Sequence, residues 1–236
     1  MLLDPDDGAD DGLGIAIGMA SAVLLFISIS TFGGYVLMGV VEEKSTGVVE
    51  ILLSHVKPHQ LLTGKVLGIG AVAMIQFAAA IVAGLVSLRI SGAAVPSDVW
   101  VGLPATLRWF VAGFVLYSTL FALAGSFVSR QEDAQGAAAP VSMVFIAAYL
   151  TVFAVGGTPD ATVTRVLSVL PPFAPLLMPL RMVTGSASML EIAVAAILLV
   201  AATYAMLRLA GAVFGRTLLH RGSRLHWRQV LRTQRP

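Results

Sequence analysis

The sequence predicts an all-α integral membrane protein: five transmembrane helices, an amphipathic helix in the loop after the first span, and a proline-rich hairpin before the last. Two observations carry that prediction. Hydrophobic residues fill 57% of the 236 positions, and Asp, Glu, Lys and Arg together only 12%, where a soluble domain carries about 25% charged residues. So few charges cannot coat a water-facing surface, and a mean hydropathy of +0.88 puts the apolar excess on the outside. The second observation is five apolar stretches with little or no charge, at residues 13–41, 66–88, 107–128, 137–155 and 192–207. Each is close to the ~20 residues that cross ~30 Å of hydrocarbon.

Lipid offers no partner to a free backbone amide, so each stretch must be a helix or a strand of a closed barrel. Unbroken apolarity, without the alternation a barrel strand needs, selects helices. The first stretch would reach about 43 Å at 1.5 Å per residue and project beyond the bilayer at one end. With five spans, the loops 42–65 and 129–136 share a side with the C-terminal tail. That side holds Lys44, Lys57, Lys65, Arg130, Arg216, Arg221, Arg224, Arg228, Arg232 and Arg235, against Arg89, Arg108, Arg165 and Arg181 opposite. The imbalance predicts a multi-pass protein of the plasma or inner membrane, with the C-terminus cytoplasmic and the N-terminus outside. Residues 1–12 are then an acidic outer tail (Asp4, Asp6, Asp7, Asp10, Asp11), 13–214 the membrane domain, and 215–236 a basic cytoplasmic tail. The arginines crowd toward the C-terminus, which signals topology and anionic lipid, with no nucleic-acid partner expected. The start shows no positive n-region or small-residue cleavage site. The absence of cysteine excludes disulfides and thiolate sites.

In the segment 42–58, Val49, Leu52, Leu53 and Val56 fall at i, i+3, i+4, i+7, one stripe of an amphipathic helix. Glu50, Ser54 and Lys57 lie off the stripe, and Pro58 ends it. A helix lying at the lipid headgroups and a helix docking a cytoplasmic partner both satisfy this pattern. Further on, Val163, Val166, Leu167 and Leu170 form a second stripe opposite Thr164, Arg165 and Ser168. Pro171 and Pro172 break it, and an apolar half-helix follows through 176–183. Neither half is long enough to cross, so the hairpin, about residues 160–188, lies at or dips into the outer leaflet.

These stretches also resemble a known family. Val41-Glu-Glu-Lys-Ser-Thr-Gly-Val-Val-Glu-Ile-Leu-Leu-Ser54, with Leu61-Leu-Thr-Gly-Lys-Val-Leu-Gly68 after it, is similar to the cytoplasmic loop of type 2 ATP-binding-cassette (ABC) exporter permeases. Gly125-Ser-Phe-Val-Ser-Arg-Gln-Glu-Asp-Ala-Gln135 resembles that family's second cytoplasmic loop, and Leu170-Pro-Pro-Phe-Ala-Pro-Leu-Leu-Met-Pro-Leu-Arg181 its outer hairpin. Phe214-Gly-Arg-Thr-Leu-Leu-His-Arg-Gly-Ser-Arg224 resembles the tail of the sodium-exporter-like branch. The resemblance implies that the amphipathic segment is a coupling helix seated on a separate ATP-binding subunit, with Glu42, Glu43, Gly47 and Glu50 in that role. It implies a second permease copy or a sister permease to complete the path. It also implies a re-entrant outer gate at Pro171, Pro172, Pro175 and Arg181, with Arg181 a gate group or headgroup anchor. Such permeases have a further N-terminal span and often a large outer domain, so the resemblance implies a truncated or split permease. A non-transporting or truncated membrane scaffold is the alternative.

Competing chemistries lack their residues. Thr63-Gly64-Lys65-Val66 is no phosphate loop, since Val66 replaces the hydroxyl residue and no glycine stands five positions before Gly64. ATP and its hydrolysis are therefore expected on a partner, with no cofactor, metal or catalytic residue on this chain. His55, His59, His220 and His226 all fall outside the spans, which leaves an intramembrane serine without a base. No ionisable group sits at a span midpoint to couple an ion gradient. The pairs Gly14/Gly18, Gly64/Gly68 and Gly211/Gly215 allow close helix approach, and Gln76, Tyr117, Tyr149 and Tyr204 are expected to hydrogen-bond between helices. Glu191 is placed at the outer interface of the last span.

Overall fold

The computed structural model describes residues 7–46, 58–92 and 97–217. They form α1 (Asp7–Thr46), α2 (Pro58–Ile90), α3 (Ser97–Ser126), a 3-10 turn (Gln131–Asp133), α4 (Ala134–Val155), α5 (Thr162–Val169), α6 (Ala174–Val183) and α7 (Met189–Thr217). No strand occurs among the described residues. The helices α1, α2, α3, α4 and α7 are long and apolar enough to cross a bilayer, which makes the chain a multi-pass membrane protein. They lie where the apolar stretches predict, although α2 and α3 begin and α7 ends well beyond their stretches, and α3 stops at Ser126, short of 128. The amphipathic segment 47–57 is outside the described residues, and Pro58 is the first residue of α2, where a missing amide costs nothing.

The core forms between α1 and α3, which run against each other. Leu25, Ile29, Phe32 and Val36 of α1 meet Phe110, Phe114, Tyr117 and Phe121 of α3. Contact is closest where a side chain is missing: a Cβ added at Gly33 would stand 2.6 Å from the Phe121 ring, and one at Gly125 3.0 Å from the Leu37 carbonyl. A second cluster joins Trp109 and Leu116 of α3 to Ala174 and Met178 of α6 and to Ala195 and Leu199 of α7. Peripheral α2 leaves Leu67, Val72, Ile75, Val82 and Val86 exposed, as a lipid-facing helix does.

The glycine pairs read from the sequence are mostly not where helices touch. Gly64, Gly68 and Gly211 have nothing within 4 Å of an added Cβ, whereas Gly18 abuts Leu180 and the unpaired Gly113 abuts Pro175. Small residues serve packing where a bulky neighbour crosses, and spacing alone does not report that crossing.

The short helices α5 and α6 fold into the bundle. Every residue of α6 from Ala174 to Arg181 is buried, mainly against α1 and α3. Contacts along α3 fix its course. Val183 lies against Gly102, Trp109 Nε1 donates to Met182 Sδ at 3.3 Å, and Pro175 lies against Gly113. Tyr117 Oη donates to the Pro172 carbonyl at 2.6 Å. The fifteen residues from Gly102 to Tyr117 rise about 22 Å. At the level of Tyr117, the Phe145 ring lies 4.0 Å away, and Phe145 stands halfway along α4. The prolines at 171–172 therefore turn the chain at mid-bundle.

Candidate functional site

Two polar clusters close the bundle at opposite ends. The first surrounds Arg181 in the last turn of α6. Its guanidinium is fully buried, and a buried charge persists only when paired and hydrogen-bonded. Nε donates to the Pro159 carbonyl at 3.2 Å, and Nη1 to Ser168 Oγ at 2.8 Å. Nη2 donates to the Ser186 carbonyl at 2.7 Å and to Glu191 Oε2 at 2.9 Å, the latter also an ion pair. One side chain thus ties together the loop before α5, α5 itself, the loop after α6 and the start of α7.

Local sequence builds that convergence. Gly185 adopts φ +67 directly after α6, a left-handed turn that suits glycine. It lets the Ser186 amide donate to the Arg181 carbonyl at 2.9 Å while the Ser186 carbonyl accepts from the guanidinium. Ser188 and Glu191 then cap α7 reciprocally. The Ser188 amide donates to Glu191 Oε2 at 2.9 Å and the Glu191 amide to Ser188 Oγ at 3.3 Å. The same carboxylate oxygen starts a helix and neutralises a buried cation.

This cluster also explains the orientation of α5. Thr164 and Ser168 are fully buried, whereas Val163 and Val166 are 61% and 58% exposed. An amphipathic helix in water does the reverse. Ser168 is held inward by Arg181, and Thr164 Oγ1 donates to the Thr158 carbonyl at 2.9 Å. Val163, Val166 and Leu170 of the stripe face outward, while Leu167 packs against the core and Arg165 stays exposed beside Asp160. The site residues behave individually: Pro171 lies in the turn, Pro172 supplies the carbonyl to Tyr117, Pro175 fills the space above Gly113, and Arg181 points inward.

The second cluster lies at the other end. Glu43, near the end of α1, reaches Lys65 of α2 at 2.6 Å, with 21% and 14% of the two side chains exposed. The neighbouring Lys44 donates to the Ser126 carbonyl, at the end of α3, at 2.8 Å. Glu42 is exposed. Of the residues predicted to couple to an ATP-binding subunit, Glu42 and Glu43 are thus in α1, and Gly47 and Glu50 fall outside the described residues.

The in-span polar groups divide. Tyr117 bonds across the bundle, though to the turn between α5 and α6 and not to another helix. Tyr204 instead accepts from Arg208 on its own helix, one turn on, because α7 carries its own donor there. Tyr149 stacks on Phe26 with ring centroids 4.2 Å apart, and Gln76 is exposed. Sequence reasoning missed the Arg181–Glu191 pair and the α7 cap, although Ser188-x-x-Glu191 before an apolar run carries the signal of that cap.

Comparison with known proteins places this architecture. The chain is 33% identical over 186 residues to the uncharacterized protein YhaP of Bacillus subtilis, covering 73% of this chain and 44% of the relative. It is 28% identical over 169 residues to the uncharacterized protein MJ1024 of Methanocaldococcus jannaschii, covering 72% and 41%. The chain thus spans less than half the length of these curated relatives. No solved structure matches it. The family described as ABC-2 family transporter protein matches residues 5–212, which take in all five spans and both polar clusters. This chain belongs to the ABC-2 family of transporter proteins.

Proposed function

We propose that this chain is the permease subunit of an ATP-driven exporter, a role in which it forms the substrate path while a separate ABC subunit binds and hydrolyses ATP. Membership of the ABC-2 family carries the reading. In it, the end bearing Glu43 and Lys65 faces the cytoplasm, and the segment 47–57 is a coupling helix seated on the ATP-binding subunit through Glu42, Glu43, Gly47 and Glu50. A second permease copy or a sister permease completes the path within the lipid bilayer. The α5–α6 hairpin is a re-entrant outer gate. Its turn at mid-bundle depth supports that role, because non-helical backbone at membrane depth must be buried in protein or line water. Closure of the ATP-binding subunits would shift the coupling helices as rigid levers and open the path.

Co-purification tests the reading. A tagged chain solubilised from its native membrane is expected to hold an ABC ATP-binding subunit, and Glu50→Lys to weaken that association while the chain still inserts. A chain that never retains such a subunit would be a non-transporting scaffold.

A further inference from the structure

The cluster at the end of α1 joins three helices, and Glu43 spends its carboxylate within it. One carboxylate oxygen of Glu43 lies 2.6 Å from Lys65 Nζ, and the other, Oε2, is buried without a partner among the described residues. One oxygen is thus buried and the other is engaged by Lys65, which directs the carboxylate toward α2 although part of the side chain stays exposed. Lys65 reaches Glu43 across Gly39, where an added Cβ would stand 2.8 Å from Nζ, so this crossing of α1 has room for the lysine because that position carries no side chain. The next residue, Lys44, satisfies the Ser126 carbonyl, one of the last in α3 and without an intrahelical acceptor role. Adjacent residues of one helix therefore brace the two neighbouring helices. The chain leaves this brace at Thr46, whose hydroxyl donates to the Glu42 carbonyl at 2.9 Å, and returns to it seven residues into α2.

We infer that Glu43, Lys44 and Lys65 are positioning residues that transmit displacement of the segment 47–57 to α2 and α3, with Glu43 acting through Lys65 and not by touching the ATP-binding subunit. The inference rests on the permease reading but takes Glu43 out of its docking surface, leaving Glu42, Gly47 and Glu50 there. It has a defined route onward: α3 carries Gly113 and Tyr117, which seat Pro175 and Pro172 of the hairpin. Intermediate position alone does not establish coupling, so the test is a charge exchange.

The full chain is reconstituted in nanodiscs with the ATP-binding subunit that co-purifies with it, as wild type, Glu42→Lys, Glu43→Lys, Lys65→Glu, Glu43→Gln and the exchanged pair Glu43→Lys with Lys65→Glu. Bound subunit per permease and permease-dependent ATP turnover are both read. Glu43→Lys, Lys65→Glu and Glu43→Gln are expected to keep the subunit bound and lose about fivefold or more of turnover, a typical coupling between sites. The exchanged pair is expected to recover most of it, and Glu42→Lys to lose association instead. Loss of the subunit from Glu43→Lys without recovery in the exchanged pair would make Glu43 a docking residue and overturn the inference. So would full turnover in the single variants. A wild-type chain that holds no subunit at all removes the permease reading itself, an outcome distinct from both.

Discussion

At the hairpin end, a completely buried guanidinium is satisfied by four acceptors drawn from four segments. At the opposite end, an ion pair and a single lysine–carbonyl bond join three helices while keeping part of their surface in solvent. The contrast is one of solvation. Removing one partner of a buried charge leaves the other without compensation, so the hairpin end is locked. Glu43 and Lys65 both keep part of their side chains in solvent, whereas Arg181 keeps none, so separating the first pair is expected to cost less than stripping Arg181 of its partners. One molecule thus carries a fixed hairpin end and a more yielding end where α1, α2 and α3 meet.

The largest effect should come from dismantling the lock. Arg181→Met is expected to destabilise the chain by about 3 kcal/mol, since the acceptors at Pro159, Ser168 and Ser186 lose their donor while Glu191 keeps the Ser188 amide. Arg181→Lys should recover only part of this loss, because an ammonium cannot reach along the guanidinium fork. Thermal unfolding in nanodiscs reads both, and a wild-type midpoint for Arg181→Met would erase the contrast. Next is the seat of the hairpin: Gly113→Leu forces a side chain into Pro175 and should cost about 1–3 kcal/mol. Gly68→Leu, in open space, should cost almost nothing in the same assay. Tyr117→Phe removes one bond to the Pro172 carbonyl and should cost about 1 kcal/mol. Smallest is Glu43→Gln, which keeps an acceptor for Lys65 and is expected within about 1 kcal/mol of wild type although it impairs turnover. A stability loss there equal to that of Arg181→Met would show two locks and no yielding end.

Much of this fold was legible in the sequence, because lipid compels any long uncharged stretch to be helical; the five spans and the break at Pro171-Pro172 follow from that alone. The polar clusters were less legible. Arg181 could be placed on the hairpin, but its partners Pro159, Ser168, Ser186 and Glu191 become neighbours only after two reversals of the chain. The stripe Val163, Val166 and Leu170 was visible, yet periodicity does not say whether a helix turns its apolar face to a core or to lipid. The burial of Thr164 and Ser168 turns Val163 and Val166 outward, while Leu167 still packs on the core. Lys65 stood out as part of a motif, while its pairing with Glu43 depends on the unremarkable Gly39 beneath it. The functional assignment came from resemblance, and the residues Gly47 and Glu50 that it implicates lie outside the described structure.

The account requires the brace and the hairpin to face opposite sides of the membrane, with the brace in the cytoplasm. The chain has no native cysteine, so Thr46→Cys and Thr158→Cys can each be probed with a membrane-impermeant maleimide. Thr158→Cys should label in intact cells and Thr46→Cys only after permeabilisation. Labelling of Thr46→Cys from outside would put the brace beyond reach of any ATP-driven partner and contradict the account.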